Sequence, residues 1–237
     1  MITDNHISSI NELVSAVLSD ANIEFGGDGD ICTMKNMNNK EKFCHLLRST
    51  GREGIETIIS ELEDSGFFEA PASANHHLNI TGGLMEHSLN VCGAALDLRS
   101  VMLTRRPDLE ESLSRESVII ASLLHDVCKS NIYKNTLVSR KNDQGYWIKE
   151  PGYAVDCSDL PLGHGEKSVI MLLSWGLKLT RDEMLAIRWH MTAWDLAFQS
   201  YEQKTNLEKA RETTPLCYIV QCADSLSSGI LEKYSKC

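Results

Sequence analysis

The stretch Val118-Ile119-Ile120-Ala121-Ser122-Leu123-Leu124-His125-Asp126-Val127 decides how this chain is read. It belongs to a helix expected over about 115–128, and it carries an imidazole and a carboxylate into an apolar run. A charge buried there without a partner is costly, and a divalent cation answers that need. Working outward, His87, His164, His190 and Asp224 also fall at helix-like positions, and each is a borderline or hard metal ligand. A single helical histidine is an ordinary core or surface residue; the joint pattern is what points to metal. Four imidazoles and two carboxylates suffice for two divalent ions, with Asp126 placed to bridge them and positions left for water and substrate.

The rest of the chain frames that cluster. Its 237 residues fit one large domain or a domain with a small appendage, and 42% apolar with 24% charged residues supports a substantial core. A net charge of −10 excludes a broad basic surface for duplex nucleic acid. A nucleotide or short strand reaching a cationic metal pocket remains compatible with it. The apolar stretches Val118–Leu124 and Val169–Leu177 fall short of the ~20 residues that span a bilayer. Met1-Ile2-Thr3-Asp4-Asn5-His6 has no signal-peptide pattern. None of the eight cysteines forms a CxxC pair, and Cys92, Cys128, Cys217 and Cys222 read as small reduced core residues, which implies a cytoplasmic location.

Nearly every segment reads as helix. Ser9 and Glu12 form a capping box, Gly26 to Asp30 break the chain, and helices follow at roughly 40–49 and 53–65, the second with Ile55, Ile58, Ile59 and Leu62 on one stripe. Residues 1–40 are expected to pack on the core or to be partly mobile, and 41–237 to form the main domain. Gly82-Gly83 opens the helix carrying His87. Residues 137–156, with Pro151-Gly152 as a turn signal, suggest a small β-hairpin or flap. His164 precedes a helix from about Glu166, and Thr180 with Glu183 caps one that ends near His190. Thr214-Pro215 opens a long helix from Leu216 to about Tyr234 with Asp224 midway. The fold class is all-α with a hairpin insertion.

Over about 42–235 the chain resembles the HD-domain superfamily. The motifs are Gly82-Gly83-Leu84-Met85-Glu86-His87-Ser88, Leu123-Leu124-His125-Asp126-Val127-Cys128-Lys129, Gly163-His164-Gly165-Glu166, Arg188-Trp189-His190-Met191 and Ala223-Asp224-Ser225. The resemblance implies an HD helical bundle of the binuclear subgroup. His87, His125, Asp126 and Asp224 would hold one ion, and His164 and His190 the other with Asp126 shared. The ions would be manganese, iron, zinc, nickel or magnesium, one or two in number. It further implies a phosphohydrolase that attacks phosphorus with a metal-bridged hydroxide, with Asp126 and Lys129 as catalytic residues. The substrate would be a nucleotide, cyclic nucleotide or short oligonucleotide. Candidate substrate contacts are His76, His77, Asn131, Tyr133 and Trp194; Glu86 reads equally as a surface residue or as an acid at the site, and Arg188 is expected to point elsewhere.

The Gly-Gly-Leu-x-Glu-His approach is similar to that of HD 3′–5′ exoribonucleases, but this chain has no strand pattern for their OB domain. The alternative is a mixed-valent di-iron oxygenase cleaving a C–C or C–P bond, which uses the same six-ligand arrangement. A third is a binding or regulatory module with a metal-stabilised core.

Overall fold

The helix Arg115–Leu124 has no solvent face beyond its first turn: every residue from Val118 to Leu124 is buried. A helix apolar on all sides belongs in the middle of a core. The computed structural model describes residues 37–156, 158, 160, 162–192 and 201–232. The Ser9 capping box, most of the 1–40 appendage and Trp194 lie outside the described residues.

In chain order the helices are α1 (Asn39–Ser49), α2 (Ile55–Asp64), α3 (Gly83–Arg105), α4 (Arg115–Leu124), α5 (His164–Ser174), α6 (Arg181–Trp189), α7 (Tyr201–Thr213) and α8 (Leu216–Leu226). Helix α4 contacts α1, α3, α6 and α8, while α3 lies against α8 and α5 against α6. Phe43, Phe67 and Phe68 pack edge-on or tilted with ring centroids 5.2–5.6 Å apart, beside the buried Ile58 and Leu62 of the α2 stripe. Ile59 sits half-buried at its edge. Thr180 and Glu183 form the expected capping box at the start of α6. No helix among the described residues is long and apolar enough to cross a membrane. The all-α class with one hairpin stands as expected.

Several boundaries differ from expectation, each for a local reason. Helix α4 stops at Leu124 instead of running to 128: His125 caps it and Asp126 leaves helical geometry at φ −109°, ψ 20°. A 3₁₀ turn, Val127–Lys129, follows. Helix α5 begins at His164 itself. Helix α7, unassigned from sequence, buries only Leu207 and Ala210 among its described side chains, too few for a visible stripe. The last helix ends at Leu226 and continues as a π-helical turn, Ser227–Leu231. Cys222 is exposed, not a core residue, while Cys92, Cys128 and Cys217 are buried.

The hairpin is longer than its turn signals suggest. Strands β1 (Tyr133–Lys141) and β2 (Trp147–Val155) pair antiparallel with Tyr133 opposite Val155 and Lys141 opposite Trp147. The turn is at Asn142, whose Oδ1 accepts from the Gln144 and Tyr146 amides. Pro151-Gly152 lies inside β2, opposite Leu137 and Thr136. A two-stranded sheet leaves both outer edges unpaired, where proline is tolerated, and a Cβ at position 152 would run into the Val138 side chain.

Candidate metal centre

Five elements deliver the six expected ligands to one place. His87 comes from α3, His125 and Asp126 from the break after α4, His164 from the first residue of α5, His190 from the C-cap of α6, and Asp224 from α8. Close approach of α5 and α6 is possible because residue 165 is glycine; a Cβ there would collide with the Arg188 backbone carbonyl. His87, His125 and His190 are buried, whereas the side chains of His164 and Asp224 are 30% and 16% exposed and mark the mouth of the site.

Asp126 is the centre. Its Oδ2 lies 3.3 Å from His125 Nε2 and 3.7 Å from His87 Nε2. Its Oδ1 lies 3.4 Å from His190 Nε2 and 3.6 Å from His164 Nε2. His87 Nε2 is also 3.4 Å from Asp224 Oδ1. The two oxygens of one carboxylate thus face two different histidine pairs.

The histidines are aimed from behind. His125 Nδ1 donates to the Ser122 carbonyl at 2.7 Å and His190 Nδ1 to the Ile187 carbonyl at 2.7 Å, each three residues back in its own helix. His87 Nδ1 is 2.9 Å from Glu232 Oε1. A carbonyl only accepts, so Nδ1 carries the proton in His125 and His190, and Nε2 presents a lone pair to the centre. The Nε2 atoms of His87 and His125 stand 3.3 Å apart. Asp126 Oδ1 and His190 Nε2 are buried and lack a well-formed hydrogen bond. Buried acceptors facing one another require a proton or a cation between them.

Protons fill that role where metal does not. Burial works against the charged form of His87, yet hydrogen bonds with Asp224 and Glu232 carry its pKa up to about 9. Burial likewise opposes ionised Asp126 and Asp224. Lys129 and the histidines hold Asp126 well below the usual carboxylate range, and His87 with the other histidines brings Asp224 to about 2. Lys129 Nζ lies 2.7 Å from Asp126 Oδ2, and that carboxylate keeps the lysine charged against burial.

The family model of the HD domain matches residues 84–229, more than half the chain and all six of these side chains. The chain belongs to the HD domain family. A stretch of 69 residues is 39% identical to a dihydroneopterin 2′,3′-cyclic phosphate phosphodiesterase of Methanocaldococcus jannaschii, covering 27% of this chain and 25% of that protein. The chain therefore spans about a quarter of the length of the curated relative it matches. No solved structure matches it significantly.

HD domains bind divalent metals, and this one has donors to do so. Ligand atoms of His87, His125 and Asp126, and of His125, His190 and Asp224, lie within 4.8 Å of one another. Cys128 joins Asp126 and His164 in a third such group, but burial pushes its thiol up to about 12, which leaves it protonated and a poor ligand.

Other candidates are placed unevenly. The His77 ring is 5.1 Å from that of His87, its Nε2 is 3.7 Å from Glu232 Oε2, and with Glu232 it lines the cleft beside them. His76 is exposed and lines a cleft of about 900 Å³ with Arg140 and Glu86. Tyr133 donates to the Ala72 carbonyl at 3.4 Å, and Asn131 is exposed. Arg188 turns away, pairing with Glu166 at 2.8 Å and stacking on Trp189. Sequence reading missed Glu232, which accepts from Asn90 at 3.3 Å besides meeting His87. Its only signal is an acidic residue eight positions after Asp224, and the π-helical turn between them hides any regular spacing.

Proposed function

We propose that this HD domain is a metal-dependent phosphohydrolase acting on a nucleotide-like phosphodiester or phosphomonoester. The observation that carries the reading is the division of Asp126, with Oδ2 toward His125 and His87 and Oδ1 toward His190 and His164. This is the arrangement a bridging carboxylate needs. His87, His125, Asp126 and Asp224 would hold one ion; His164, His190 and Asp126 the other. Bound divalent ions lower the pKa of water and stabilise charge on phosphoryl oxygens.

The chain's own groups do the rest. The backbone carbonyls behind His125 and His190, and the Glu232 carboxylate behind His87, fix the ring orientations. Lys129, held charged by Asp126 and 11% exposed, supplies a cation at the mouth for a phosphoryl oxygen. His164 and Asp224 form the exposed rim through which substrate enters. The cyclic phosphate in the name of the matched relative favours a cyclic phosphodiester among the candidate substrates.

The test is elemental analysis of protein purified without added metal, followed by turnover of bis(p-nitrophenyl) phosphate and of 2′,3′- and 3′,5′-cyclic nucleotides with each of manganese, iron, zinc, nickel and magnesium. Phosphate ester cleavage under nitrogen, abolished by chelator, is expected. Activity that appears only with iron and dioxygen would replace this reading with the di-iron oxygenase.

A further inference from the structure

The hairpin sorts its charges by face. Side chains alternate along a strand, and the register places Tyr133, Leu137 and Lys141 of β1 on the same face as Tyr153, Lys149 and Trp147 of β2. On the opposite face Arg140 pairs with Glu150 at 3.2 Å. Lys134, also on that face, pairs with Asp156 at the hairpin base. The first face holds no acid, and among the described residues neither Lys141 nor Lys149 has a carboxylate partner. Unbalanced cations stand out in a chain of net charge −10. Large exposed apolar groups flank them: Trp147, 69% exposed, stands opposite Lys141, whose Nζ is 5.4 Å from its ring centroid, and Leu137, 63% exposed, lies beyond Lys149 toward the base. Tyr133 and Tyr153 face each other at 6.2 Å near the base.

We infer that this face is a binding strip for single-stranded nucleic acid leading toward the metal centre. The inference rests on the reading of that centre as a phosphodiester hydrolase. Aromatic rings interleaved with unpaired lysines suit bases that stack and phosphates that need neutralising. A nine-residue strand extends roughly 27 Å, room for a few nucleotides. The strip also starts close to the site: Tyr133 opens β1 four residues after Lys129 and lines one hollow with Tyr153 and Ser130, the residue that follows Lys129. A duplex hides its base faces and has nothing to offer the rings.

The test uses the full chain with metal and a fluorescein-labelled, phosphorothioate-linked single strand of about ten nucleotides, read by fluorescence anisotropy. The strand should bind far more tightly than a mononucleotide or a duplex of the same sequence. Trp147→Ala and the double variant Lys141→Ala/Lys149→Ala should each weaken binding about tenfold or more. Unchanged circular dichroism and metal content would show that the variants are folded. Wild-type affinity in both variants, or equal binding of duplex, overturns the strip. So does sedimentation showing that Trp147→Ala dissociates a dimer of this chain. The underlying site reading is tested separately by wild-type turnover of bis(p-nitrophenyl) phosphate. Turnover without oligonucleotide binding sinks the strip alone, and variant-sensitive binding without turnover sinks the hydrolase reading alone.

Discussion

At the scale of single residues, the backbone of Asp126 explains why the site exists. At φ −109°, ψ 20° it leaves the helix one residue after His125, so the two adjacent side chains both reach the centre. In a continuous helix, neighbouring residues point about 100° apart. Because each Asp126 oxygen faces its own histidine pair, Asp126→Ala should release both metals and lower stability, since metal binding is linked to folding. His164→Ala should lose activity and keep one metal per chain. Mass spectrometry of the native protein counts the ions; two ions retained by Asp126→Ala would contradict a shared carboxylate. Glu232 acts one step further out as a positioning residue. Glu232→Gln keeps the shape and removes the charge behind His87, and should weaken metal affinity about 10–100-fold. Competition against a chelator measures this, and the apparent affinity of Glu232→Asp should recover part of the loss. A purely structural role would instead lower the melting temperature of the metal-free protein and leave affinity alone.

At the scale of elements, the histidine-bearing helix ends must be held in place by packing elsewhere. Helix α6, which ends in His190, is tied at its start by Glu183, whose fully buried carboxylate takes two bonds from Arg52 at 2.6 and 2.9 Å and one from Ser117 at 2.8 Å. Removing one partner of a buried ion pair leaves an uncompensated charge. Arg52→Ala should therefore cost about 3 kcal/mol, measured by urea unfolding, although Arg52 lies nowhere near the metal ligands. This tie could not be read from sequence, since Arg52 and Glu183 are 131 positions apart. What was legible had a local cause: the all-apolar run of α4, the Thr180 capping box, and ligand types in a fixed order. What was not legible depended on tertiary contacts. The Ser122 carbonyl ends α4 early by binding His125, the π-helical turn brings Glu232 back to His87, and Val138 makes Gly152 a strand residue. The sequence named the six side chains that converge, but not the groups behind them, the Ser122 and Ile187 carbonyls and Glu232.

At the scale of the whole molecule, the centre makes stability depend on protons and metal in opposite senses. In protein stripped of metal, His87 has its pKa raised from 6.5 to about 9, so its protonation favours the folded state. That contribution is complete below about pH 6.5 and is lost as pH rises through about 9. For a fully buried group the swing is on the order of 3 kcal/mol. Asp224 works the other way at the acid end: held to about 2, it stabilises the fold above its ordinary value of 3.8 and ceases to do so as pH falls through about 2. Metal reverses the alkaline limb, because the nitrogen of His87 that faces the centre must shed its proton before it can coordinate. Affinity should rise between pH 6.5 and 9, and free metal in excess should raise the melting temperature by mass action. Melting temperatures recorded from pH 6 to 9.5, once with chelator and once with manganese, should therefore diverge. The chelated series falls and the manganese series stays level or climbs. Parallel curves would mean that His87 does not exchange a proton for a metal ion, and the first ion site would have to be drawn without it.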